Sequence, residues 1–170
     1  MEDEQLLPHL VSEFLTWVWY TSEQPRNARV LGEALAEVDF WVDDRISFRE
    51  VSSDKVCAVV TGESPSTAPE ARAALGGGKV LRALRIGLRS QDREFYATLQ
   101  GPYVDLAAVK LPQMITGLED EILYDRMALY EELQQMLAAL FQAYALDRTS
   151  PTWTTDVLPA IRQWVAGAAS

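Results

Sequence analysis

The chain has 170 residues, 48% hydrophobic and 24% charged, with a formal net charge of −10. That length supports one domain with a sizeable core, and the composition excludes disordered and fibrous classes. The acidity argues against a generic nucleic-acid coat, which needs clustered Lys and Arg.

No apolar run approaches the roughly 18–20 residues of a transmembrane helix. The opening Met1-Glu2-Asp3-Glu4 lacks the positive charge of a signal peptide, and the single cysteine, Cys57, permits no internal disulfide. These features predict a soluble cytoplasmic protein with no membrane partner.

In chain order, residues 5–22 read as a helix. Leu7, Leu10, Val11, Phe14, Leu15 and Val18 share one face, and Trp17, Trp19 and Tyr20 widen it. A helical aromatic stripe of this kind predicts core packing rather than a base-stacking surface. Residues 26–35 read as a connector. Residues 37–51 alternate apolar and polar and predict a hairpin turning at Asp43-Asp44-Arg45. Residues 55–62 form a third β-rich run, dense enough to predict burial on both faces.

Pro69–Leu75 reads as a short helix stopped by Gly76-Gly77-Gly78. Lys79 to Leu99 then carries the longest sheet signal: two strands joined at Ser90-Gln91-Asp92-Arg93, predicted to form the sheet's centre. In the first strand Val80, Leu84, Ile86 and Leu88 fall on one face, with Arg82 among them; Leu81, Ala83, Arg85, Gly87 and Arg89 fall on the other. Phe95, Ala97 and Leu99 share a face of the return strand, which Gly101-Pro102 ends. Residues 104–111 read as a short edge strand.

Residues 118–146 predict the longest helix, with Ile122, Leu123, Met127, Tyr130, Leu133, Leu137, Leu140, Phe141 and Tyr144 in a stripe that packs on the sheet. From Tyr130 to Tyr144 the spacing also fits a helix–helix seam. Residues 147–151 read as a linker, and 152–166 as a terminal amphipathic helix complicated by Pro159. The fold class is therefore α+β: a mainly antiparallel sheet packed against an N-terminal aromatic helix and C-terminal amphipathic helices, in one domain spanning 1–170.

Signatures of catalysis are thin. The Gly76-Gly77-Gly78-Lys79 run lacks the first Gly and the Ser/Thr of a phosphate loop, and it ends a helix instead of opening one. One His (His9) and one Cys cannot build a usual zinc site. Asp39, Asp43 and Asp44 could at most make a carboxylate magnesium site. Glu119-Asp120-Glu121 suits a helix N-terminus, and Glu131-Glu132 suits a wet helix face. Cys57, in an apolar β run, reads as an inert small hydrophobe. The expectation is a non-enzyme without cofactor, metal or small-molecule substrate.

Charge is unevenly placed. Residues 1–44 hold ten acids and two bases, residues 45–93 nine bases and five acids, and residues 117–147 seven acids and one base. Within 71–93, Arg72, Lys79, Arg82, Arg85, Arg89 and Arg93 face one acid, Asp92. Five of these six are Arg, which suits bidentate phosphate contacts. Two readings stand: a duplex-DNA surface, or pairing with the chain's own acidic segments.

Several segments resemble the C-terminal half of the recombination-associated RdgC family of bacterial proteins. They are Phe14-Leu-Thr-Trp-Val-Trp-Tyr-Thr-Ser-Glu23, Phe40-Trp-Val-Asp-Asp-Arg-Ile46, Glu70-Ala-Arg-Ala-Ala-Leu75 with Gly78-Lys79-Val80, Glu94-Phe-Tyr-Ala-Thr-Leu99 and Val109-Lys-Leu-Pro112. The resemblance implies an α+β fold, a homodimeric ring and duplex-DNA binding without strong sequence preference through basic residues; by position, Lys79, Arg82, Arg85 and Arg89 would take that part. The residues also leave open an interaction module that docks a partner or a second copy through the aromatic and long amphipathic helices.

Overall fold

The computed structural model describes residues 3–25, 31–101, 103–113 and 117–167. Its centre is the strand pair expected from 79–99. Strand β3 (Val80–Ser90) pairs antiparallel with β4 (Arg93–Gln100) across a two-residue turn in which Gln91 adopts a left-handed φ of 56°. Around them lie β1 (Val38–Arg49), β2 (Val56–Thr61) and β5 (Asp105–Lys110), in the order β2-β1-β3-β4-β5 with every pair antiparallel. β3 is the middle strand. Period-two alternation sets its faces: Leu84, Ile86 and Leu88 enter the core while Arg85 and Arg89 point to the other side.

Helix α1 (Asp3–Glu23) lies against β3 and β1. Its Phe14, Leu15, Trp17, Val18 and Trp19 are essentially fully buried. Burying each such side chain contributes roughly 1.5–3 kcal/mol, so the aromatic stripe is core. The Ser12 hydroxyl donates to the Leu81 carbonyl at 2.8 Å, fixing the helix on the sheet. Helix α2 (Pro69–Gly76) ends as expected. Lys79 N–H donates to Ala74 O and Gly78 N–H to Leu75 O, with Gly78 at φ 85°, which is the Schellman stop. The Gly-Lys backbone thus caps a helix C-terminus, where the dipole repels anions.

Helix α3 (Glu119–Thr149) buries Leu129, Leu133, Met136, Leu140, Ala143 and Tyr144. Glu121 accepts the Leu118 N–H at 3.3 Å, satisfying a donor at the helix start. A π-helical turn (Trp153–Val157) leads into α4 (Leu158–Ala166). Pro159 explains that widening. It has no N–H, and its ring crowds the carbonyl four residues back, so the chain opens by one residue before resuming.

Several expectations need correction. Within 37–51, Val38–Arg49 form one 12-residue strand rather than a hairpin. Asp43, Asp44 and Arg45 form a bulge opposite Arg85, between the pairs Val42–Ile86 and Ile46–Leu84. Both halves pair with the long β3 instead of with each other, because Phe40, Val42, Ile46 and Phe48 all reach the same core. Residues 55–62 are not buried on both faces: β2 is the sheet edge, with Val56, Cys57 and Val59 exposed. Cys57 is therefore an exposed edge residue, with Sγ 3.5 Å from Phe48 O.

Leu81 joins the core, since β1 skips Arg82 when Ser47 and Phe48 pair with Ala83 and Leu81. Residues 147–149 continue α3, so no linker spans 147–151. The buried stripe of α3 is shifted from the expected one: Leu123, Met127, Tyr130 and Phe141 are exposed. Part of the 26–35 connector, residues 26–30, lies outside the described residues.

Gly87 marks a second constraint. A Cβ there would stand 2.3 Å from the Trp41 ring, which lies flat over the β3 backbone on the helix-free face. Gly87→Ala should cost about 1–3 kcal/mol in urea unfolding, and the penalty should largely vanish in a Trp41→Ala background. An equal cost in both backgrounds would assign the glycine a different role.

Candidate functional site

The six expected cations do not converge. Arg72 sits on α2 and donates to Glu23 at 2.8 Å, with its guanidinium 5.1 Å from the Trp164 ring centroid. Arg82, the residue skipped by the β1 ladder, donates to Asp54 O at 2.9 Å, with Asp54 Oδ1 at 3.9 Å. Arg85 is held by Asp43 at 3.1 Å and Asp44 at 3.4 Å, the two carboxylates of the β1 bulge. Arg89 pairs with Glu94 directly across the ladder at 2.6 Å. Arg93 reaches Glu132 on α3 at 2.9 Å. Lys79, at the helix stop, has no ion pair to a described carboxylate. Five of the six are thus paired with acids of the same chain, in separate places.

Only Arg85 and Arg89 share a surface, the helix-free face of the sheet. There Trp41 and Tyr96 meet edge to face at 5.9 Å, with Arg89 5.4 Å over Trp41 and Lys110 5.4 Å over Tyr96. Hydrogen bonds from Arg89 and then Tyr96 hold the Glu94 carboxyl below its ordinary value. The bond to Glu94, followed by burial, raises the Tyr96 phenol. Cations, rings and acids on this face satisfy one another. Asp39, Asp43 and Asp44 show no metal geometry; no cluster of three or more ligating side chains occurs among the described residues.

Three further acids of α1 and α3 are also occupied. Glu23 accepts from Trp19 Nε1 at 2.9 Å and Trp164 Nε1 at 2.8 Å as well as from Arg72. Glu13 accepts from the Tyr144 hydroxyl and from Arg148, both at 2.6 Å. Asp147 accepts from Trp17 Nε1 at 2.9 Å. Burial, then the bond to Glu13, pushes the Tyr144 phenol well above its usual range.

Besides a charged depression lined by Asp44, Arg45, Glu63 and Arg85, the open surface includes an apolar one. A groove of about 650 Å³ lies between α1, α3 and the end of the sheet, floored by Val11, Phe14, Leu99 and Leu106 and walled by Leu137 and Phe141. Leu10 and Tyr103 stand exposed at its rim. Next to Tyr103, Val104 holds a left-handed φ of 58°, a costly conformation for a β-branched residue. A second, shallower depression lined by Tyr124, Met127, Tyr130 and Gln134 continues the groove along α3, sharing Gln134 with it. Sequence periodicity drew both faces of α3 into one stripe. The signal that separates them is the double repeat: Leu129, Leu133, Met136, Leu140 inward, and Met127, Tyr130, Gln134, Leu137, Phe141 lining the groove and its extension, with exposed Leu123 continuing the same spacing.

The Tyr144 environment has a pH consequence. Its folded-state pKa lies above the unfolded value near 10, so the unfolded chain loses that proton first as pH rises. The stability it contributes is complete below pH ~10 and falls above it by up to about 1.4 kcal/mol per pH unit. Urea unfolding at pH about 8 and about 11 should show Tyr144→Phe less stable than the parent at the lower pH but with a shallower alkaline decline. An unchanged decline would place the titration elsewhere.

None of the described helices is long and apolar enough to cross a membrane. No family model, no curated protein and no solved structure matches this chain.

Proposed function

We propose that this domain is a protein–protein interaction module that docks a partner along the outward face of α3 and the groove it shares with α1. The observation that carries this reading is the row Leu123, Met127, Tyr130 and Phe141, between 38% and 60% exposed on a helix whose neighbouring stripe already supplies the core. Single exposed apolar residues need no explanation, but a contiguous row leading into an apolar groove marks a contact surface. A photo-crosslinking amino acid at Met127 in the full chain, in cells, should give discrete adducts that the same group at Asp125, on the far side of the helix, does not. Equal or absent crosslinking at both positions would remove the reading.

The duplex-DNA reading, with the RdgC resemblance behind it, draws on the helix-free face, where Arg85, Arg89 and Lys110 surround Trp41 and Tyr96. It requires phosphates to displace Asp43, Asp44 and Glu94 from the arginines. On this reading the chain retains duplex at about 0.05 M salt and releases it steeply by about 0.2 M, and Arg85→Glu with Arg89→Glu abolishes retention. No retention at low salt rules it out.

A further inference from the structure

The geometry points to a definite occupant for the α3 groove: a basic amphipathic helix of another protein, laid along α3 from Leu123 to Phe141. This inference rests on the docking reading and adds the partner's chemistry to it.

The spacing comes first. Leu123, Met127, Tyr130, Gln134, Leu137 and Phe141 are separated by 4, 3, 4, 3 and 4 residues, the seam spacing on which a second helix packs. At ~1.5 Å per residue the seam runs about 27 Å, five turns. Leu137 is half-buried and the Phe141 ring meets Phe14 edge to face at 5.2 Å, so the row is anchored at its inner end and open at its outer end. The alternative shape, an extended strand added to β5, meets a blunted edge. Ala108 holds φ 48° in a bulge between the pairs Thr98–Ala107 and Tyr96–Lys110, and Lys110 is exposed on the strand.

Charge then selects the helix. Residues 119–134 carry six acids, Glu119, Asp120, Glu121, Asp125, Glu131 and Glu132, against Arg126 alone. Glu132 is engaged by Arg93. On the helical period, Glu119, Asp120 and Glu131 flank the apolar row. Among the described residues Glu119, Asp120 and Glu131 make no ion pair, and the segment's own base is Arg126. A second copy would not supply one: laid antiparallel, it sets this segment against the distal half of another α3, whose Arg148 is already taken by Glu13. A partner with Leu-type anchors on one face and Lys or Arg beside them matches both features, the apolar row giving affinity and the flanking charge giving register and on-rate.

The test uses the full chain and a fluorescent synthetic peptide of about five turns, with Leu at heptad a and d positions and Lys at the flanks, read by anisotropy near 0.15 M salt. Binding is expected for this peptide and not for one of the same composition with the Leu positions scrambled. Leu123→Asp with Met127→Asp, both at exposed positions, should weaken it by about tenfold or more with the circular dichroism melt unchanged. Glu131→Lys with Asp120→Lys should weaken it and flatten its salt dependence. Equal binding of the scrambled peptide would reduce the effect to bulk charge and overturn the inference. So would a Leu–Glu peptide binding as well as the Leu–Lys one, or a wild-type dimer dissociated by Met127→Asp; in both of those cases the docking reading itself would stand. Failure of every peptide, with no adduct from Met127, would remove both.

Discussion

The Glu23 carboxylate is the contact on which the helical layer depends. It accepts Trp19 Nε1 from its own helix, Arg72 from α2 and Trp164 Nε1 from α4. These donors come from three parts of the sequence, and each would otherwise be a partly buried polar group without a partner, at about 1–3 kcal/mol apiece. The rings around it lock the same junction: Trp164 stands edge to face on Trp19 at 5.0 Å and on Tyr20 at 5.6 Å. Fixing α2 there also fixes its Schellman end and hence the point at which β3 enters the sheet. The central strand is launched from a helix stop that this one carboxylate holds in place.

The same pattern resolves the uneven charge of the chain. Acids of the first segment meet bases of the middle: Glu23 with Arg72, and Asp43 and Asp44 with Arg85. Acids of the last segment reach back likewise, Glu132 to Arg93. The exposed pairs contribute little individually, about 0–1 kcal/mol. Their effect is on specificity, since each joins one element to a particular partner residue. A cluster that is net positive along the chain is therefore neutralised and dispersed in space. Among the described residues, the first turns of α3 hold four acids that make no ion pair, Glu119, Asp120, Glu121 and Asp125.

How much of this was legible depended on whether the signal was local. The hairpin 79–99, the Gly stop, the edge strand and the aromatic core helix follow from periodicity and turn chemistry, which adjacent residues carry. The Asp43-Asp44-Arg45 segment was misread because turn-type residues also suit a bulge, and only the distant β3 ladder decides between them. β2 was misread for a similar reason: Val56-Cys57-Ala58-Val59-Val60 has the composition of a buried strand, but its position at the edge is set by pairing order. The ion pairs were invisible residue by residue, although the segmental charge balance raised them as a possibility. The two faces of α3 were present in the sequence as overlapping 4-3 repeats, and deciding which faces the core needed Phe14, Trp17 and Trp153 in place around Tyr144.

The outer half of α3 shows what the fold alone does not require. A 31-residue helix is about 46 Å long, while β5, with six residues, covers about 20 Å. Stability of the domain needs the stripe from Leu129 to Tyr144, and in the first two and a half turns no residue is fully buried and Ile122 alone is half-buried. Such a segment is most soluble with polar residues throughout, and its acids Glu119 to Glu121 and Asp125 meet that condition. Leu123, Tyr124 and Met127, each 59% or more exposed, do not. Their exposure adds no burial to the folded monomer and raises the tendency to associate. An apolar row whose outer end the core does not use, beside acids that make no ion pair to a described base, is the surface that the proposed basic, apolar-faced partner would cover.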